Sequence, residues 1–302
     1  MNQTRQSGMS LVDVIQVMRP NHWTKNGLVL AAFFFALWDK SQHIQLANGW
    51  TKAIPATLLF CLVSSAVYVM NDIGDVDADR QHPLKRFRAI ASGRISIPAA
   101  WGLFVLLLAI GLGGAWLLSP AFFKIIAIYA GLQIMYTFFI KHIALVDVFI
   151  IAAGFVLRAI AGAVALTVDI SAWLLLCTFL LAMFLGLCKR RHEKIQMETT
   201  GQESRQSLDN YNEKLLDQLI GIMAAASIIA YALYTLSPET IQKFGTRKLG
   251  FTIPFVVFGL FRYLDLVYRH EKGDRPEKIL LTDKPTLINI AIYALVVVLL
   301  ML

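Results

Sequence analysis

Residues 53–80 read AIPATLLFCLVSSAVYVM followed by NDIGDVDADR: an apolar run, Ala53–Met70, that meets Asp72, Asp75, Asp77 and Asp79 in quick succession. A helix crossing a bilayer needs roughly 20 mostly apolar residues. The run shows no period-two alternation, so only a helix satisfies its backbone in hydrocarbon. Continued past the membrane at about 100° per residue, that helix places Asp72, Asp75 and Asp79 within roughly 60° of one another, with Asp77 pointing away. Three carboxylates on one face, with Asn71 beside them, repel one another unless a cation sits between them. Hard oxygen donors suit Mg2+, which keeps waters and takes phosphate oxygens. The sequence therefore nominates Asn71, Asp72, Asp75 and Asp79 as metal ligands. The helix is expected to end near His82, because Pro83 disfavours α geometry in the residue before it. A merely solvated acidic loop would not explain why these acids cluster against a basic stretch.

Working outward, the same apolar pattern recurs along the chain. It has 302 residues, 57% hydrophobic and 16% charged, with a mean hydropathy of +0.60; a soluble domain carries about 25% charged residues. About nine runs are long enough to span a membrane by that criterion. They are Trp23–Trp38, Ala53–Met70, Pro98–Leu118, Ala121–Ile140, Ile143–Leu166, Ala172–Leu187, Leu215–Leu236, Phe251–Val267 and Leu287–Leu302. The expected fold is an all-α polytopic bundle of about nine transmembrane helices around a central cavity, forming a single domain over 1–302. No cleavable signal pattern follows the polar N-terminus, so the first span is expected to act as its own insertion signal.

The net charge is +8. The basic residues flank apolar runs, so topology explains the balance better than a nucleic-acid partner. About 20 of the 28 Lys and Arg fall on the side of the N-terminus. The opposite loops hold Lys40, Lys52, Lys124, Lys243, Arg247 and Lys248, and Arg158 and Arg262 lie inside spans. The basic side is therefore expected to be cytoplasmic, in a cell inner membrane. Two long loops on that side, 71–97 and 189–214, are expected to cap a site. The three cysteines, Cys61, Cys177 and Cys188, sit in or at the end of apolar runs, form no CxxC pair and read as small core residues.

Further residues point to an anionic, phosphorylated substrate. Lys85, Arg86 and Arg88 follow the acids directly, and Arg94 comes soon after; arginine matches phosphate with a planar fork, lysine as a point charge. Tyr129, Gln133 and Tyr136 recur at helical spacing, with Lys141 at the membrane boundary. Asp147 and Arg158 share a face of the fifth run, where charge is costly and faces a cavity or a partner helix. Lys189, Arg190, Arg191 and Glu193 open the loop after the sixth run and read as a phosphate-binding lid or a membrane-surface anchor. Ser204, Arg205, Ser207 and Tyr211 could close over the site. In the run Arg19–Asn26, Arg19 and Trp23 read as an interfacial anchor, and Lys25 and Asn26, one turn deeper, as cavity residues. No Walker lysine loop, HExxH, GxSxG or haem CxxCH occurs, which removes ATPases, zinc proteases and serine hydrolases from serious consideration.

NDxxDxxxD followed by HPxKxxRxxAxG, over Asn71 to Gly93, resembles the first aspartate motif of the UbiA superfamily of intramembrane prenyltransferases. The resemblance covers nearly the whole chain. Arg19 to Asn26, Lys141-His142, Leu157 to Gly162, Lys189-Arg190 and Pro276-Glu277 extend it toward the branch that acts on decaprenyl phosphate. Members using isoprenyl diphosphates carry a second aspartate motif after the sixth span; here that place is cationic, which suits a substrate with an extra phosphate. Another departure is Ala89, where relatives usually have Pro. The resemblance implies Mg2+-dependent transfer of a 5-phosphoribosyl group from 5-phosphoribosyl 1-diphosphate to a polyprenyl phosphate lipid, releasing diphosphate. It implies a product that leads to an arabinose donor for cell-wall glycans. Asp72, Asp75, Lys141 and Arg158 are then the expected catalytic residues. Lys25, Asn71, Lys85, Arg86, Arg88, Tyr136, Lys189, Arg190 and Arg191 are the expected substrate-binding ones. The sequence leaves oligomeric state open, a homo-oligomer included. The alternative reading is a prenyltransferase moving a polyprenyl group from its diphosphate to an aromatic or other small acceptor. A transporter would need acids at midplane paired with broken helices, whereas these lie at the membrane edge.

Overall fold

The computed structural model describes residues 10–39, 46–200, 211–269, 279 and 282–301. Among these, every regular element is a helix. They are α1 (Leu11–Met18), a 3-10 run (Pro20–Leu30), α2 (Ala31–Trp38), α3 (Leu46–Gly74) and α4 (Val76–Gln81). α5 (Ile97–Leu118), α6 (Pro120–Met135), a π turn (Tyr136–Ile140), α7 (Val146–Leu166) and α8 (Ala172–Thr200) follow. α9 (Glu213–Leu236), α10 (Pro238–Phe244), α11 (Ile253–Arg269) and α12 (Lys284–Met301) complete the order. Eight helical stretches among the described residues are long and apolar enough to cross a membrane. The last of them, Lys284–Met301, buries only 6% of its apolar window within the protein, and side chains such as Leu117, Phe139, Phe261 and Leu299 are exposed. A helix apolar all round with so little covered is matched to lipid.

Three expectations need adjusting. The run Trp23–Trp38 is not one spanning α-helix: it divides into the end of an 11-residue 3-10 stretch and the eight-residue α2. Pro20 fixes the entry, and Asn21, Asn26 and Gly27 weaken α propensity over the segment. The expected loop from 71 is helical at its start, since α3 runs to Gly74 and α4 resumes at Val76 and ends at the His82 cap. The expected lid residues 189–194 lie on α8, which continues to Thr200. Lys40, Ser204, Arg205, Ser207, Pro276 and Glu277 lie outside the described residues.

The chain divides into two compact units. The first takes the described residues of Met1–Phe33, Ala47–Phe139 and Leu157–Thr167. One of its cores joins Val29, Phe60, Val63, Phe122, Ile126 and Ala161; another joins Val17 of α1 to Val69, Ala89, Ile90 and Ile95. Small residues let backbones approach, as is usual between membrane helices. A Cβ on Gly111 would meet Val63 at 2.5 Å, and one on Gly162 would lie 1.9 Å from the Val29 carbonyl oxygen. That last contact seats the 3-10 run against α7. The second unit takes the described residues of Phe34–Leu46, Ile140–Val156 and Val168–Leu302. Its core joins Val148 and Ala152 of α7 to Phe184 and Leu187 of α8, Leu216 and Ile220 of α9, and Leu260 and Tyr263 of α11.

Gly162→Ala should destabilise the protein by about 1–3 kcal/mol, the usual cost of overpacking. Gly131→Ala, where an added Cβ meets nothing within 4 Å, should be neutral or slightly stabilising. Thermal unfolding of both variants in nanodiscs checks the contrast.

Candidate functional site

In the first unit the acids gather at the end of α3. Backbone bonds carry the helical register across the break at Asp75: Asp75 N donates to Asn71 O at 2.9 Å and Asp79 N to Asp75 O at 2.8 Å. Asp72 and Asp79 are therefore brought to the same side, both buried at 3% exposure, with Asp75 half-buried between them. The side chain of Asp77, one step out of phase, is 86% exposed. Cations compensate the buried pair. Arg88 Nη1 donates to Asp79 Oδ2 at 2.6 Å and to Asp72 Oδ1 at 3.2 Å. Arg19 also pairs with Asp72 Oδ1 and lies over the Tyr68 ring at 5.3 Å. Arg19 takes a left-handed backbone (φ 53°) at the end of α1, its N–H closing on Gln16 O. A carboxylate buried without a partner loses several kcal/mol of hydration, so the cluster depends on these two guanidinium groups.

Arg88 is delivered by the turn after α4. His82 Nδ1 accepts from the N–H groups of Leu84 and Lys85 at 3.1 and 3.3 Å. Burial, with Lys85 nearby, lowers the His82 pKa, which keeps the ring nitrogen an acceptor. Lys85 and Arg86 are exposed on the same turn, Arg86 over the Phe87 ring at 4.9 Å. Arg94 holds the turn to α1, donating to Gln16 Oε1 at 3.0 Å and to Phe87 O at 2.9 Å and pairing with Asp13 at 3.3 Å. Asn71 Oδ1 accepts from the Thr137 hydroxyl on the π turn beside Tyr136. π turns frequently mark functional sites.

Deeper in this unit, Arg158 of α7 is 5% exposed. It donates from Nε to Asn26 Oδ1 and from Nη2 to the Tyr129 hydroxyl, both at 2.9 Å, with its guanidinium over the Phe60 and Tyr129 rings. Asn26 in turn donates to Ser64 Oγ at 2.9 Å. Lys25 is half-buried next to it in the chain.

The remaining nominated residues belong to the second unit. Asp147, fully buried, accepts from Arg190 Nε at 2.6 Å, from the Tyr211 hydroxyl at 2.9 Å and from Val148 N at 2.8 Å. Tyr211 also accepts from Leu145 N at 2.6 Å. Leu145 has φ +67°, a conformation costing a non-glycine residue roughly 1–2 kcal/mol. Burial, together with the Asp147 charge, raises the Tyr211 pKa and keeps its proton. Arg190 is 2% exposed and also binds Glu193, so its guanidinium is committed within the protein. Arg191 pairs with Asp217 at 2.6 Å and Glu213 at 3.1 Å and lies over Tyr268. Lys141 is half-buried, and the Lys189 side chain is 43% exposed, 3.8 Å from Glu193.

The arrangement brings Asp72 and Asp79 to one side, as the helical spacing requires, and joins Arg88 to them. It adds Arg19, whose place before Pro20 and Trp23 reads in the sequence only as an interfacial anchor, and Thr137, which carries no motif. Among the described residues no three His, Cys, Asp or Glu side chains stand close enough to hold a metal by themselves. The donor set still fits Mg2+, which commonly takes one or two carboxylates and completes its shell with water and substrate phosphate.

The structure is thus a helical membrane protein with a carboxylate–guanidinium cluster at the end of a spanning helix. Residues 28–282 match the model of the UbiA prenyltransferase family, and the chain belongs to that family. It is 34% identical to the decaprenyl-phosphate phosphoribosyltransferase of Corynebacterium glutamicum, covering 94% of this chain and 85% of that one. It is 35% identical to the protein of the same name from Mycobacterium tuberculosis H37Rv, covering 90% and 88%. The fold is that of a UbiA homolog from Archaeoglobus fulgidus bound to GPP and Mg2+, with a TM-score of 0.70, 18% identity, and 93% and 96% of the two chains covered.

Arg88→Met should cost about 3–5 kcal/mol, because it strands buried carboxylates. Adding Asp79→Asn should recover part of that loss. A double-mutant cycle on thermal unfolding checks the coupling; additive effects would contradict the shared cation.

Proposed function

We propose that this chain transfers a 5-phosphoribosyl group from 5-phosphoribosyl 1-diphosphate to a polyprenyl phosphate, releasing diphosphate, with Mg2+ as cofactor. The observation that carries the reading is the cluster of Asp72, Asp79, Arg88 and Arg19, acids and cations interleaved at one helix end. The names of the relatives supply the substrates. Lys189, in a stretch whose Arg190 and Arg191 are ion-paired within the protein, agrees with a sugar donor that carries a further phosphate.

An oxygen of the acceptor phosphate bonds to C1 of the ribose as the C1–O bond to diphosphate breaks, its electron pair leaving on the diphosphate. The acceptor is already an anion, so no strong general base is needed. Mg2+, when bound, supplies charge neutralisation for the departing diphosphate. One or two of the carboxylates Asp72, Asp75 and Asp79, with Asn71 beside them, would hold it, water and phosphate oxygens supplying the rest. Arg19 and Arg88, beside those carboxylates, supply fixed positive charge to diphosphate oxygens, with Lys85 and Arg86 on the same turn. Arg158 is oriented by Asn26 and Tyr129 and serves the sugar end of the donor, as do Tyr136 and Lys25. The guanidinium groups of Arg190 and Arg191 are taken by Asp147, Glu193, Asp217 and Glu213, so recognition of the 5-phosphate or the lipid phosphate is assigned to Lys141 and Lys189. The lipid tail stays in hydrocarbon. The site faces the cytoplasm, with the N-terminus on the same side of the cell inner membrane.

Purified protein in nanodiscs, offered labelled 5-phosphoribosyl 1-diphosphate with decaprenyl phosphate, should label the lipid. Labelled prenyl diphosphate with an aromatic acceptor should give no product. Asp72→Ala and Asp75→Ala should each lower phosphoribosyl transfer by about 100-fold or more, the scale of losing a main electrostatic stabiliser, with helix content retained. Product from prenyl diphosphate alone, or near-normal transfer by Asp72→Ala, would overturn the reading.

A further inference from the structure

The second unit contains a buried polar clasp for which the proposed chemistry has no direct use. Asp147 at the start of α7, Arg190 near the end of the apolar part of α8, and Tyr211 before α9 meet through bonds of 2.6 and 2.9 Å, each residue at most 2% exposed. The Tyr211 hydroxyl is used twice: it donates to Asp147 Oδ1 and accepts from Leu145 N. Its second bond holds a left-handed residue in the short connection between the π turn and α7. Two nominated phosphate-binding lysines flank this clasp. Lys141 lies on that connection, four residues before Leu145. Lys189 precedes Arg190 on α8, so fixing the Arg190 guanidinium on Asp147 fixes the helix rotation, and with it the direction of Lys189 about 100° away. A buried charge pair is a weak source of net stability but a strict geometric constraint.

We infer that Tyr211 is a positioning residue: through Asp147 and Arg190 it sets the places of Lys141 and Lys189, and thereby the affinity for the phosphorylated sugar donor. The inference rests on the proposed reaction. Arg190 itself is assigned to the clasp and not to the donor. Removal of the hydroxyl alone, Tyr211→Phe, keeps the ring in the core with Leu216 and Ile220, takes away the acceptor of Leu145 N and removes one of the two bonds to Asp147 Oδ1, leaving that from Val148 N.

The test uses the full chain in nanodiscs. Tyr211→Phe should raise KM for 5-phosphoribosyl 1-diphosphate about tenfold while kcat and KM for the lipid stay within about twofold. A drop in thermal stability with an unchanged donor KM would assign the clasp a structural role only and overturn the inference, as would a change confined to the lipid KM. A second readout needs no turnover: acylation of Lys141 and Lys189 by an amine-reactive ester, followed by mass spectrometry. Rates at either lysine should change by about threefold or more in Tyr211→Phe, with Lys124 of the first unit unchanged as the internal control. Unaltered rates at both lysines would overturn the clasp even if the wild-type protein proved to transfer another group. Altered rates in a protein that transfers no phosphoribosyl group would sink the proposed reaction and leave the clasp standing.

Discussion

Two carboxylates buried at the end of a membrane-crossing helix must be neutralised, and much of the first unit is arranged around that requirement. Asp72 and Asp79 face the same way because the helical register survives the break at Asp75. Neither can be hydrated at 3% exposure, so cations have to come from elsewhere in the chain. One comes from the N-terminal side, where α1 ends in a left-handed arginine and the chain turns into the 3-10 run. The other comes from the turn after α4, shaped by His82 and tied back to α1 through Arg94. The second unit solves a similar problem at Asp147, using Arg190 and the Tyr211 hydroxyl.

These interactions connect stability with chemistry. A site that must receive a diphosphate needs positive charge held ready before the substrate arrives. Arginines that neutralise buried acids are held in this way, because releasing them exposes an uncompensated charge. Arg158 shows the same logic in apolar surroundings. Its guanidinium donates to Asn26 and Tyr129 and is stacked over Phe60 and Tyr129, which fixes its direction within a span.

The bundle was legible in the sequence because apolar length is a strong signal: eight of the nine anticipated runs correspond to helices able to span among the described residues. The remaining run, after Pro20, is helical but divides into 3-10 and α parts, a distinction that apolar length does not carry. The facing of Asp72 and Asp79, and the outward turn of Asp77, followed from helical periodicity alone. Arg19 did not, since an arginine before a proline and a tryptophan looks the same whether it touches lipid headgroups or a carboxylate. Arg190 was legible as a charge and illegible as a partner: its commitment to Asp147 depends on the packing of α7 against α8, where a Cβ on Gly186 would meet Val148 at 2.7 Å. Local pattern reports which side a residue faces, and only tertiary packing reports what it meets there.

The central claim is that the end of α3 is where the leaving diphosphate and its cation are held. Cryo-electron microscopy of the protein with Mg2+ and a non-reactive phosphoribosyl diphosphate analogue tests this most directly. The account predicts density for an ion joining Asp72 or Asp75 to diphosphate oxygens, with the Arg88 guanidinium within hydrogen-bonding reach. Analogue bound elsewhere, with Asp72 and Asp79 still closed on Arg88 and Arg19, would contradict it.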